Sequence, residues 1–355
     1  MASQNELSAN TLEELLQEAR GELERDKRTN FRVVCLSTDL PWEQLLTITR
    51  GYFSVTEQGD FHELYATHMK HNKEFHVYLY LYQHPETGEP IIFTLNSYDE
   101  FRRTSSSMIG GTEDLYTLWL RPKELTDLRE EILTDEGIRL TGFDYDTFGK
   151  EQQYEAERRP GLKRSGSHDS EDAEHVLEEW KLDYGFTPTQ LRFDLPSKGT
   201  FHFSNDGEFV LTRGDTRYLY TNVVESALQK IHPLNTTVQA SELTVVTDGG
   251  IDRIEEKALE MDINDTLDYE DVDDLLTAMK SDDFYPYSYQ AAPGSLLLNG
   301  RIVDERNGGM ISVSTDGETM TLLPRYESGF DSLLRFYRFI VEEIDPETSI
   351  RLAEG

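Results

Sequence analysis

The spacing of apolar residues changes several times along the chain, and each change predicts an element. Leu12, Leu15, Leu16, Ala19 and Leu23 recur at intervals of three and four, the pattern of an amphipathic helix. Thr11-Leu12-Glu13-Glu14 opens it with a capping box, in which the threonine hydroxyl and the glutamate carboxylate satisfy free amides at the helix start. The helix is expected to run to Lys27. Phe31-Arg32-Val33-Val34-Cys35-Leu36 follows as a buried strand, and Asp39-Leu40-Pro41-Trp42 starts a second helix with proline in its first turn.

From Phe61 the period falls to two. Val77, Leu79 and Leu81 alternate with Tyr78, Tyr80 and Tyr82, and His84-Pro85-Glu86-Thr87-Gly88 turns this strand into Pro90-Ile91-Ile92-Phe93-Thr94-Leu95. The pattern predicts a hairpin with two faces that can both be covered. Arg102 to Gly111 reads as a polar, serine-rich loop. Leu115 to Leu120 reads as a strand leading through Arg121-Pro122 into a helix with Leu125, Leu128 and Ile132 on one side.

Residues 158–171 are rich in Pro, Gly, Ser and basic side chains and poor in apolar ones, which predicts a flexible linker. The expected domains are therefore 1–157 and 172–355. In the second, residues 190–231 and 289–344 share a layout of strand, strand, strand and helix, with the strands of the first expected at 200–203, 209–212 and 217–220. Asn205-Asp206-Gly207 and Thr315-Asp316-Gly317 supply the turns, since glycine accepts the positive φ of a tight hairpin. Between them, residues 262–283 hold nine Asp or Glu and one base. Val272, Leu275, Leu276 and Met279 keep helical spacing there, with Asp268 as cap. Repeated hairpin-then-helix units predict an α+β fold, two domains of antiparallel sheet with helices packed on one face.

Charge then changes the picture. Asp and Glu number 68 against 34 Lys and Arg, a net charge of −34, and arginine outnumbers lysine 23 to 11. Such an excess repels itself in dilute buffer, whereas molar salt shrinks the Debye length to about 3 Å. The composition predicts a protein adapted to a salt-rich cytoplasm. It also disfavours nucleic-acid binding, which draws its affinity from phosphate neutralisation. The N-terminus lacks a basic, apolar leader pattern, and no apolar run approaches the roughly 18 residues of a membrane span. A cytoplasmic protein with no membrane partner is expected.

Candidate chemistry is sparse. No Walker A loop, dinucleotide fingerprint or nucleophile elbow is present in the sequence. Ser167-His168-Asp169 spells a triad, but adjacent residues cannot fold onto one another as a triad must. His62, His68, His71, His76 and His84 fall within 23 residues without a recognised ligand spacing. Asp144-x-Asp146-x-Phe148-Gly149 resembles a calcium loop in outline, but phenylalanine stands where an oxygen ligand belongs. Cys35, the one cysteine, reads as a structural thiol.

No cofactor or metal site is expected. The expected function is non-enzymatic: a binding or regulatory protein that engages another protein through its sheet faces, with Tyr78, Tyr80 and Tyr82 as the contact surface. Two other readings remain open, a metal-assisted hydrolase built on the histidines and a nucleic-acid-associated factor that stacks bases on those tyrosines.

Overall fold

The computed structural model describes residues 6–353 apart from 71–72, 113–114, 149–156, 159–161, 197–198, 242–243, 249–250, 256, 265, 281, 295 and 326–327. Its contacts fall into two interleaved units. The first holds residues 1–145, 166–178 and 188–232, and the second 146–165, 179–187 and 233–355. Within the segment expected as a linker, residues 159–161 lie outside the described residues and Ser165–Asp169 forms a strand. The chain does not divide there into two consecutive blocks; residues 188–232 return to the first unit.

The first unit begins with α1 (Leu12–Arg25), whose Thr11–Glu14 capping box is present as expected. Then come β1 (Phe31–Thr38), α2 (Trp42–Thr49), β2 (Ser54–Gln58), β3 (Phe61–Lys70), β4 (Lys73–Gln83), β5 (Pro90–Thr94), α3 (Tyr98–Ile109), β6 (Leu115–Thr117), α4 (Pro122–Leu133) and β7 (Arg139–Asp146). β8 (Ser165–Asp169) leads to α5 (Ala173–Tyr184), which crosses the unit boundary. β9 (Thr187–Leu195), β10 (Gly199–Ser204) and β11 (Glu208–Gly214) then run into α6 (Thr216–Tyr218). A π-helical turn, Leu219–Val224, joins α6 to α7 (Glu225–Gln239), and the unit boundary falls inside α7 at Pro233.

Eleven strands make one antiparallel sheet, in the order β2-β3-β4-β5-β1-β11-β10-β9-β7-β8 with β6 also on β1. On one face Val34, Leu36, Val77, Leu79, Leu81 and Ile92 pack with Leu45 and Leu46 of α2 and Phe101 and Met108 of α3. On the other face Phe193 stacks on Phe201 at 5.2 Å and Phe203 on Phe209 at 5.8 Å, and Phe93 meets Tyr220 of the π-helical turn at 5.8 Å.

Two expectations change here. Residues 102–109 belong to α3 and not to a loop, and Gly110 and Gly111 form the turn that ends it. Ser97 accepts from the Glu100 amide and the Glu100 carboxylate returns to the Ser97 amide, a capping box hidden in a polar stretch. Phe101, Ser105 and Met108 then form a narrow buried stripe, with the Ser105 hydroxyl donating back to the Phe101 carbonyl at 2.7 Å. Residues 217–220, expected as a strand, are helical because Asp215 caps the turn. Its carboxylate accepts from the amides of Arg217 and Tyr218.

The second unit contains a hairpin of β12 (Thr244–Asp248) and β13 (Ile251–Glu255), followed by β14 (Leu259–Asp262), α8 (Tyr269–Met279), β15 (Phe284–Ala291), β16 (Leu298–Asp304), β17 (Met310–Thr315), β18 (Thr319–Pro324), α9 (Phe330–Glu343) and β19 (Ser349–Leu352). The six-stranded antiparallel sheet has the order β15-β16-β17-β18-β14-β19. Phe284 meets Phe336 of α9 edge-on at 5.3 Å, and Arg335 pairs with fully buried Asp304. The Asp268 cap and the Val272, Leu275, Leu276, Met279 stripe of α8 stand as expected.

A duplication of topology links the two sheets. The run β1-α2-β2-β3-β4-β5-α3-β6 and the run β14-α8-β15-β16-β17-β18-α9-β19 have the same element order. Their strands also occupy the same places: β5 and β18 flank β1 and β14 on one side, β6 and β19 on the other. This pairing of β4 with β17 sets Tyr78, Tyr80 and Tyr82 in correspondence with Met310, Ser312 and Ser314. The helix-covered face is apolar in both.

Candidate functional site

The three tyrosines expected as a contact surface separate by burial. Tyr80 is 1% exposed, and its hydroxyl accepts from the Leu7 amide at 2.5 Å and donates to the Leu7 carbonyl at 3.2 Å. It is a core residue that ties the N-terminal segment to β4. Tyr78 and Tyr82 are half-buried, the first 5.1 Å from Tyr65 and the second between Phe61 at 5.5 Å and Phe93 at 6.1 Å. Both faces of the hairpin are therefore largely used by the protein's own packing.

The histidines do not converge. His62 lies opposite Leu81 and meets Trp42 at 5.8 Å, on the face covered by α2. His76 lies on the other face, 2.7 Å from the Tyr65 hydroxyl. His84 is buried in its turn, where Nδ1 faces the Thr87 amide and hydroxyl. His68 is in β3, and His71 lies outside the described residues. Among the described residues no group of three His, Cys, Asp or Glu is placed to hold a metal ion. Asp144 and Asp146 are strand residues, Phe148 is buried, and residues 149–156 lie outside the described residues.

A polar row crosses the first sheet through Arg192, His202, Val210 and Arg32, which are cross-strand partners. Arg32 pairs with Glu208 and sits 5.2 Å over the Tyr98 ring. Arg192 pairs with Asp144 and, at 2.9 Å, with Asp169. Burial, reinforced by both arginines, pushes the His202 imidazole down to about 4. Each arginine has an acidic partner, so this row reads as ion pairing inside the fold.

Among the described residues, two solvent-facing features stand out. The first is on β15, an edge strand. Phe284 and Pro286 are buried while Tyr285 and Tyr287 alternate with them at 50% and 52% exposure. Tyr285 lies opposite Val303 and Tyr287 opposite Arg301, which has no ion-pair partner among the described residues. Val303 pairs in turn with Met310, and Arg301 with Ser312. The result is an aromatic and aliphatic corner on the face away from α8 and α9. A bulge between Tyr287 and Gln290 carries Ser288 at φ 52°, and Tyr289 passes against Gly300 where any Cβ would collide with it. Proline without an N–H and a bulge both blunt an edge against strand pairing. Recognition here falls to side chains. The alternation Phe-Tyr-Pro-Tyr in the sequence was the available signal, masked by the proline.

The second open feature is a cleft of about 830 Å³ between α1 and the α6/π-helical segment, within the first unit. Leu12, Leu16 and Tyr220 contribute its apolar lining. At its base the Thr216 hydroxyl donates to the Leu16 carbonyl at 2.6 Å, joining the walls. Arg217 reaches Glu13 at 3.1 Å and Arg20 reaches Asp215 at 3.8 Å, so two ion pairs also bridge them. Glu225 lines the cleft without a basic partner among the described residues, and partial burial, with Glu86 nearby, raises its carboxyl above the usual range. Burial likewise raises the Tyr220 hydroxyl, keeping it protonated. A π-helical turn is a rare element that recurs at functional sites. Nothing in the alternating Tyr218 and Tyr220 signalled it.

Among known proteins, an uncharacterized protein of Archaeoglobus fulgidus is 22% identical over 288 residues, covering 75% of this chain and 76% of that protein. No protein-family model matches the chain. Among the described residues no helix is long and apolar enough to cross a membrane.

Proposed function

We infer that this is a non-enzymatic binding protein that engages another polypeptide through the β15 corner of its six-stranded sheet, on the face away from α8 and α9. The observation that carries the reading is the contrast between the duplicated sheets. In the first, the face bearing Tyr80 is sealed by the Leu7 segment, α1 and the π-helical turn. In the second, the corresponding face bears Ser312, Ser314 and Thr321 and ends in two half-exposed tyrosines. Tyrosine suits such a role because it combines a large apolar ring with a polar tip and few rotatable bonds. A salt-adapted setting favours the same choice, since molar salt screens charge steering and leaves apolar burial in force.

The test is recovery of a partner by cross-linking in high-salt lysate with the wild type and with the Tyr285→Ser, Tyr287→Ser double variant. Both rings are half-exposed, so the melting temperature should stay nearly constant while the cross-linked partner disappears. Equal recovery from both proteins would reject the β15 corner. A collapse in melting temperature would mark the rings as structural.

A further inference from the structure

We propose that the cleft between α1 and the π-helical turn binds an aliphatic amine in its protonated form. This site is independent of the β15 corner and lies in the other unit.

Shape comes first. The cleft volume of about 830 Å³ falls within the roughly 300–1,000 Å³ typical of small-molecule sites. Its lining combines hydrocarbon from Leu12 and Leu16 with the Tyr220 ring, which is itself fixed by Phe93 at 5.8 Å. On α1, Gly21 lines the cleft with open space where a side chain would begin. That glycine costs helix stability relative to alanine, and here it keeps the mouth of the cleft clear.

Charge selects the ligand. The lining contains two cations, Arg20 and Arg217, and four carboxylates, Glu13, Glu24, Asp215 and Glu225. Both arginines are committed: Arg20 faces Glu24 at 3.2 Å and Asp215 at 3.8 Å, and Arg217 faces Glu13 at 3.1 Å. An anionic ligand would have to break these pairs. Glu225 has no such commitment and is partly desolvated, a cost that a cation alongside it would offset. An ammonium group donating to Glu225 satisfies the polar end. Its methylenes then lie on Leu12 and Leu16. Surface acidity alone would not discriminate this way, because it offers neither an apolar floor nor a bounded length.

The experiment measures thermal shift and calorimetric affinity at a fixed 1 M KCl for spermidine, 1,5-diaminopentane and Nα-acetyl-lysine amide, with inorganic phosphate as the anionic probe. The free amines and the lysine derivative share one chemistry, and their affinity ratio distinguishes a free polyamine from a lysine side chain. At least one amine should raise the melting temperature of the wild type while phosphate does not. Glu225→Gln should weaken that binding by about tenfold or more. Gly21→Leu, which fills the mouth at a position with room for it, should abolish binding while leaving the protein folded and equally or more stable. The proposal is overturned if no amine binds, if phosphate binds in their place, or if both variants bind amines as the wild type does, which would mean general attraction to an acidic surface.

Discussion

Replacing Tyr80 by phenylalanine isolates the bond between the N-terminal segment and the first sheet. The ring stays, so no cavity forms, and only the hydroxyl is lost. That oxygen serves both the amide and the carbonyl of Leu7, at 2.5 and 3.2 Å, in a site where Tyr80 is 1% and Leu7 2% exposed. Each buried group left unpaired costs about 1–3 kcal/mol. The two together set an upper range of about 2–6 kcal/mol. The segment can instead detach and let water in, giving up the burial of Leu7, worth about 2 kcal/mol. The cheaper route governs, so a loss of about 2–3 kcal/mol is expected. Urea unfolding in high salt, followed by fluorescence, measures it directly through the midpoint at unchanged slope. With roughly 2–4 °C per kcal/mol for a unit of this size, the melting temperature should fall by about 4–12 °C. Limited proteolysis should also begin earlier within residues 6–11. A change below about 0.5 kcal/mol with unaltered proteolysis would mean that Leu7 is not held by this hydroxyl in solution.

Three further outcomes are expected. His202 titrates near 4 in the fold against an ordinary value of 6.5, so the unfolded chain binds more protons between these values. Stability should therefore fall as pH drops from about 6.5 to 4, by about 2–4 kcal/mol in total. His202→Gln should flatten that part of the pH–stability curve, and an unchanged curve would remove His202 as its source. From the net charge of −34, the melting temperature should rise between about 0.1 and 2 M KCl; a flat or falling profile in differential scanning calorimetry would contradict the salt-adapted reading. Burial, with Glu89 nearby, pushes the Cys35 thiol well above its ordinary range, so a thiol reagent should label it only after denaturation. Labelling of the folded protein would mean that β1 opens locally.

Elements with wide apolar stripes were legible in the sequence. Leu12 to Leu23, the hairpin of Val77 to Leu95 and Val272 to Met279 each bury a face at one clear period, and the α+β class follows from them. What escaped was carried by single polar contacts or by pairing over distance. α3 has a thin buried stripe and depends on Ser97 and Glu100, while the turn at Thr216 depends on Asp215. Residues 188–232 join the first unit through Phe31 opposite Leu211 and Val33 opposite Phe209, partners that no local pattern connects. The burial of Tyr80 escaped for the same reason. Alternation showed that Tyr80 faces away from Leu79, but the segment that covers it lies 73 residues earlier in the chain.

The place of β1 in the sheet sets a timetable for synthesis. One flank of β1 is taken by β5, which is complete at Thr94, but most of the other waits for β11 and Gly214. A ribosome adding about 5–20 residues each second needs on the order of ten to forty seconds between the emergence of β1 and that of its second neighbour. Through that interval the Phe31 to Val34 edge of an unfinished sheet is exposed, a template for pairing with neighbouring nascent chains. The protein is therefore expected to rely on escort during translation more than its finished stability would suggest.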